Sequence, residues 1–328
     1  MLIGNMTNCY TQAILTVLMD NLSFENLIKF EIVSSVPFGI IYKSNDPNRT
    51  LDCYIDPDIG IDRALNQFSI PFEVKYWAKG YDSAEAIENL NDWLEDSPVV
   101  LGPVNMGKLT YLPQYNLYSG IDHYIVVTKK SSEGYYVCDP EGVPFTFISK
   151  KQLNEACISG DLSEGRGSYT IRRIFSKVKR LNITNDILNK NMTMVLENFL
   201  NASAAPNGGP NGLRQLADDI AYDLNNPSIV RGLKYILTNR IQRCMVAEHF
   251  YLLFKRNTTD TLGLKTIENV IQMQRRQKQL YSEFLSLIFD KYNLNIFVIQ
   301  DVIYNIASLE NLITDSLLGT FKNHLIER

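Results

Sequence analysis

The chain has 328 residues, 45% of them apolar, and a formal net charge of −4, enough length and apolar content for one large or two ordinary globular domains. The acidic balance, with no basic run interleaved with aromatics, excludes a nucleic-acid footprint. An odd set of five cysteines (Cys9, Cys53, Cys138, Cys157 and Cys244) without a CxxC pair excludes a disulfide framework and a zinc knuckle.

The leading residues carry no basic n-region, apolar h-region or cleavage site, and no apolar run approaches the roughly 20 residues that span a bilayer. A reducing cytoplasm is the expected location. The first element in the chain is the apolar-periodic segment Cys9-Tyr-Thr-Gln-Ala-Ile-Leu-Thr-Val-Leu18, a helix that starts at its cysteine. Phe24 to Val36 has helical spacing, and Ile59 to Phe68 reads as a short helix leading into an extended Pro71-Phe-Glu-Val-Lys-Tyr-Trp77. Ser83 is placed to cap a helix running to about Leu94, with Glu85 and Glu88 in its early turns. Pro98-Val-Val-Leu-Gly102 resembles a buried strand, and the Tyr-rich stretch from Leu109 to Gly120 a loop.

His123-Tyr-Ile-Val-Val-Thr128 and Tyr135-Tyr-Val-Cys-Asp139 flank the turn signal Ser131-Ser-Glu-Gly134 and predict a hairpin; Ser168 to Ile174 is one more strand. Past about Lys177 strand patterns vanish, and Asn185–Asn201, Gly212–Leu224, Ser228–Arg256, Thr261–Tyr292 and Ile296–Ile326 all carry helical periodicity. The turn-rich Ala204-Ala-Pro-Asn-Gly-Gly-Pro-Asn-Gly212 reads as a surface loop; it lacks the Lys-Ser/Thr end of a phosphate-binding loop. The expected fold is α+β, with a catalytic domain over 1–178 and an all-helical domain over 179–328.

Cys9, His123 and Asp139 are the candidate nucleophile, base and orienting carboxylate. Cys9 falls at a helix N-terminus, where orphan N–H groups and the macrodipole favour a thiolate. The hairpin brings Asp139 toward His123, so that the carboxylate accepts Nδ1–H and Nε2 faces the thiol. Of the three histidines, His249 and His324 lie in helical patterns, which leaves His123 as the sheet-based base. Singly each residue has a blander reading: a buried small hydrophobe, a structural histidine, a turn-opening Asp-Pro. A zinc site on the same three suits the ligand types but has no close-spaced ligand pair to nucleate it. Cys138 alternates to the other strand face from Asp139, and Cys53, Cys157 and Cys244 read as structural. The Cys9 backbone N–H is one oxyanion donor. A papain-like enzyme often adds a Gln upstream of the cysteine, but Ile3-Gly-Asn-Met-Thr-Asn8 has none, which leaves Asn5 or Asn8 as substitutes.

With Asn8-Cys9 and its helix, Pro98-Val-Val-Leu-Gly102, His123-Tyr-Ile-Val-Val127, Val137-Cys-Asp-Pro140, Gly212-Leu-Arg-Gln-Leu-Ala-Asp-Asp-Ile220 and Arg275-Arg-Gln-Lys-Gln-Leu-Tyr-Ser-Glu-Phe-Leu285, the chain resembles the butirosin-type acyltransferases. These are papain-like (C39 peptidase-like) in fold. Most of the chain is covered, and within the family it looks most like the amide-forming transferases of polythioamide (closthioamide) biosynthesis. The resemblance implies transfer of an acyl group from a carrier-protein thioester through a Cys9 acyl-enzyme to a small amine or diamine. It implies no intrinsic cofactor, only the phosphopantetheine arm of the carrier, and a helical domain that covers the catalytic cleft. Tyr111 and Tyr115 are then candidate channel walls, Asp122 and Glu141 candidate partners of a distal ammonium, and Arg172-Arg173 and Arg275-Arg276 candidate docking charges for an acidic carrier. The rival readings are a C39-like cysteine peptidase, whose His and Asp-Pro motifs are shared, and a catalytically silent carrier- or peptide-binding protein.

Overall fold

The computed structural model describes residues 8–44, 50–78, 84–158, 162, 165–224, 226–289 and 295–322. Its elements in chain order are α1 (Cys9–Leu18), α2 (Phe24–Ser34), β1 (Ile40–Lys43), β2 (Thr50–Cys53), α3 (Pro57–Gln67), β3 (Phe72–Trp77), α4 (Ala84–Leu94), β4 (Val99–Asn105), β5 (Asp122–Lys130), β6 (Gly134–Asp139), β7 (Val143–Ser149), α5 (Lys150–Cys157), β8 (Ser168–Ile174), α6 (Asn185–Ala204), α7 (Gly209–Asp223), α8 (Pro227–Asn257), α9 (Thr261–Phe289) and α10 (Ile296–Phe321). They form two compact units, 1–34 with 56–182 and 35–55 with 183–328. Ser83, the expected cap of α4, lies outside the described residues, as does Asn5.

The first unit is a six-stranded antiparallel sheet in the order β3-β8-β4-β5-β6-β7. Alternation sorts its residues. Leu101, Ile125, Val127, Val137 and Ile171 join α4 and α5 in one core with Leu90, Trp93 and Leu153. Helix α1 packs on β5, β4, α2 and α3 and is buried nearly all round, from Tyr10 to Leu15 and again at Val17 and Leu18, as a helix apolar on most of its faces requires. Local signals set the ends of other elements. Asp56 caps α3 by accepting from Asp58 N–H at 2.8 Å, with Pro57 at the first helical position. Ser149 and Gln152 form a capping box on α5. β7 and α5 were not legible in the sequence.

Gly102 in β4 sits where a Cβ would come within 2.5 Å of the Tyr124 ring and 2.8 Å of the His123 carbonyl oxygen. The pairing of β4 with β5 shifts register between Leu101 and Val104, beside this glycine. The bulge thus lies against the residue expected to be the base.

The second unit is helical apart from the β1–β2 hairpin. The single cut expected at 178/179 therefore needs correcting, because residues 35–55 belong here. Their short strands pack with the helical half: Ile40, Tyr42 and Leu51 share a core with Leu213, Leu216 and Ile220 of α7 and Ile303 and Ile306 of α10. The 204–212 stretch is not a free surface loop either. Tyr42 N–H donates to the Asn207 carbonyl at 2.7 Å, Asn207 Nδ2 returns a bond to the Tyr42 carbonyl at 2.9 Å, and Gly208, Gly209 and Pro210 are buried. Helix α10 corrects the bilayer expectation: its 26 residues are long and apolar enough to cross a membrane by length and composition. Its Ile299, Val302, Ile303, Ile306, Ala307 and Glu310 are buried at helical spacing, and the apolar ones among them line the core of the unit.

Candidate active site

The first unit brings Cys9, His123 and Asp139 together. His123 and Asp139 are buried, and His123 Nε2 meets Asp139 Oδ1 at 2.8 Å. The ring is therefore turned opposite to the sequence expectation: Nε2, not Nδ1, meets the carboxylate. Which nitrogen faces the carboxylate is set by the rotation of the imidazole about its side-chain bonds, on which strand pairing has no hold. The Cys9 thiol lies close enough to His123 for each to shift the other's titration. With Nε2 taken, the nitrogen left to serve the thiol is Nδ1, which makes no hydrogen bond.

The carboxylate is held from several sides. Asp139 Oδ2 accepts from Tyr111 OH at 2.8 Å, and Oδ1 also accepts from Glu141 N–H at 2.8 Å. Tyr111 is thus no bare channel wall; it is a positioning residue that reaches the site through Asp139. The loop that carries it is pinned at both ends by Asn105, whose Oδ1 accepts from Gly107 N–H at 2.9 Å and Gly120 N–H at 3.1 Å. Tyr115 and Tyr118 pack on the sheet core instead. Tyr111→Phe is expected to slow acylation of Cys9 about fivefold, the worth of one hydrogen bond. Because Tyr111 helps hold Asp139 low, the acid limb of the rate should also move to higher pH. An unchanged pH profile would make Tyr111 a packing residue.

The electrostatics favour a charged imidazole. Burial alone would lower His123, but the Asp139 carboxylate and Cys9 raise it well above its ordinary value. Burial alone would raise Asp139, but His123, the Glu141 N–H and Tyr111 hold it below. For Cys9, burial pushes the thiol up, His123 pulls it down, and Asp122 and Glu141 push it up again. The residue is half-buried with its sulfur enclosed. Burial therefore outweighs the pull of His123, and the thiol stands above its ordinary value where the sequence pointed to a thiolate. Cys9 and His123 titrate as one coupled pair, whose governing feature is the imidazolium that Asp139 maintains.

The Asn8 side chain, a candidate oxyanion donor, is engaged within the fold. Its Nδ2 donates to buried Glu31 Oε1 at 3.0 Å, and Glu31 also accepts from Tyr10 OH at 2.5 Å and Thr11 Oγ1 at 2.6 Å. The consequence is useful. Asn8 is the N-cap of α1 by position yet its side chain makes no cap, so among the described residues it leaves the first-turn N–H groups, that of Cys9 included, open. Sequence reasoning missed Glu31, although an acidic residue inside the apolar period of Phe24 to Val36 was a visible signal.

The expected docking charges are differently used. Arg172 is buried; its Nε donates to Asp62 Oδ1 at 2.9 Å, its Nη2 to the Asp58 carboxylate, and its Nη1 to the Gly102 carbonyl at 3.4 Å. Arg173 pairs with Asp96 at 2.6 Å and lies over the Phe175 ring. In the second unit Arg275 pairs with Glu248 at 2.7 Å, and both Arg275 and Arg276 are exposed. Among the described residues no group of three or more His, Cys, Asp or Glu side chains is arranged to hold a metal ion.

No protein-family model matches the chain. Among curated proteins it is similar to the uncharacterized protein YobF of Bacillus subtilis (strain 168), 32% identical over 184 residues. That stretch covers 55% of this chain and 56% of YobF, so the chain spans little more than half the length of the relative it matches.

Proposed function

We propose that the protein is a papain-like cysteine acyltransferase that moves an acyl group from a carrier-protein thioester to a small amine or diamine. The observation that carries this reading is a Cys9 thiol at a helix start within electrostatic reach of His123, whose Nε2 meets Asp139 Oδ1 at 2.8 Å. His123 takes the Cys9 proton as the sulfur adds to the thioester carbonyl, and gives it to the departing pantetheine thiolate. The amine then adds to the acyl-Cys9 carbonyl, His123 takes an ammonium proton, and that proton returns to the Cys9 sulfur as the amide leaves. The first-turn N–H groups face the negative charge on the carbonyl oxygen in both steps. Asp122 and Glu141, close enough to act on Cys9, suit the distal cation of a diamine.

In this reading the chain needs no cofactor beyond the carrier's phosphopantetheine arm. It works in a reducing cytoplasm that keeps Cys9 a thiol, in specialised-metabolite biosynthesis of the polythioamide kind. A second reading, a silent binding protein, draws on the raised Cys9 thiol.

Intact-mass measurement after mixing with a short acyl pantetheine thioester separates the two. An acyl adduct on wild type, absent in Cys9→Ala and discharged by a diamine into an amide, is the expected result. No adduct with any donor would leave the silent reading standing.

A further inference from the structure

Glu31 lies on α2, fully buried beside Leu27, Ile28, Phe30 and Ile32 of the same helix. A leucine there would pack α2 on α1 without the cost of burying a carboxylate. The carboxylate takes three bonds instead, all from residues that bracket the nucleophile. Asn8 Nδ2 and Thr11 Oγ1 donate to Oε1 at 3.0 and 2.6 Å, and Tyr10 OH donates to Oε2 at 2.5 Å. Residues 8, 10 and 11 are thereby tied to α2, and the residue between them is Cys9, within reach of His123.

Asn8 breaks a local rule at this point. Asparagine is among the best N-cap residues because its side-chain oxygen accepts from the second or third N–H of the helix. Its backbone is already extended as a cap requires, with φ −63° and ψ 146°, yet its side chain makes no cap. An ionised carboxylate accepts and cannot donate, so Glu31 draws the amide nitrogen of Asn8 to itself and keeps the amide oxygen off the helix. A capping oxygen would sit on the Tyr10 or Thr11 N–H, beside the Cys9 N–H. There its negative end would oppose a thiolate or a substrate carbonyl oxygen at the helix start.

We propose that Glu31 is a positioning residue that withholds the Asn8 cap and reserves the start of α1 for the negative charge on Cys9 and on the substrate oxygen. The proposal rests on the reading of Cys9 as the nucleophile. It makes capping α1 good for stability and bad for chemistry.

Asn8→Ala and Asn8→Ser test it, because both side chains are too short to reach Glu31 and only serine can cap. Asn8→Ser is expected to melt about 2–4 °C above Asn8→Ala. At neutral pH iodoacetamide should nevertheless alkylate its Cys9 about fivefold more slowly. Acylation by a short acyl pantetheine thioester should slow by a similar factor, in its maximal rate and not in the donor concentration at half-saturation. Glu31→Leu should slow both reactions, and adding Asn8→Ala to it should recover part of the loss, which a packing defect would not allow. The Asn8 pair keeps the Tyr10 and Thr11 bonds to Glu31, so it decides the question should Glu31→Leu not fold. Equal rates in the Asn8 pair, or no recovery when Asn8→Ala is added to a folded Glu31→Leu, would overturn the proposal. Alkylation needs no acyl donor, so it still decides on Glu31 if wild type forms no acyl adduct, the result that sinks the transferase reading alone.

Discussion

Arg172→Met is expected to destabilise the first unit by about 3–5 kcal/mol, the usual result of removing one partner from a buried ion pair. Arg172 and Asp58 are both fully buried, and Asp58 is raised by burial even with Arg172 and Arg166 beside it. Without Arg172 its carboxylate keeps Arg166 Nε at 3.1 Å, and Asp62 loses a 2.9 Å contact. For a unit of this size the melting temperature should fall by about 6–20 °C. The site should feel the change, because Arg172 also bonds the Gly102 carbonyl in the bulge beside His123. Arg172→Met combined with Asp58→Leu should recover part of the loss, since removing both charges leaves nothing buried and unpaired. Urea unfolding of the two variants measures this; an unchanged midpoint for Arg172→Met would mean that the cluster contributes nothing.

Arg172 also marks where the sequence stops being legible. Arg172-Arg173 reads as a basic pair, and only the fold reveals that one member serves the acids of α3 while the other pairs at the surface. The β5–β6 hairpin was legible because β-branched and aromatic runs flank a turn, and Ser131 Oγ does accept from Gly134 N–H at 3.1 Å. Helices α6 to α10 were legible from their period. The 35–55 segment was not, because its partners Asn207 and Asp219 lie more than a hundred residues away and a short strand carries no mark of a distant partner. The ring orientation of His123 was not legible because strand patterns fix the face a side chain takes and leave its torsions open. Tyr111 was visible as a site residue, but its partner was not.

The His123–Asp139 contact sets a pH window for stability. His123 is raised above 6.5, so its contribution is complete below that pH and is lost as pH rises through the folded value. Asp139 is lowered from 3.8, so its contribution is present above that pH and is lost as pH falls through its folded value. The one interaction therefore stabilises most between these limits.

The reactivity of Cys9 should respond to its neighbours with opposite signs. His123 lowers the thiol, while burial, Asp122 and Glu141 raise it. His123→Ala is therefore expected to cut the alkylation rate of Cys9 at neutral pH by at least about tenfold, since each unit of thiol pKa is a factor of ten in thiolate. Asp139→Asn should act in the same direction more weakly, because an imidazole without its carboxylate is driven neutral by burial and no longer holds a thiolate. Asp122→Asn should do the reverse and make Cys9 more reactive toward an uncharged alkylating agent. With a diamine acceptor the same substitution should raise KM, because a carboxylate near the distal ammonium is gone. A faster thiol paired with a weaker acceptor is a combination that loss of packing does not produce. If Asp122→Asn slows alkylation, or leaves the diamine KM unchanged, the acidic rim has no part in acceptor recognition.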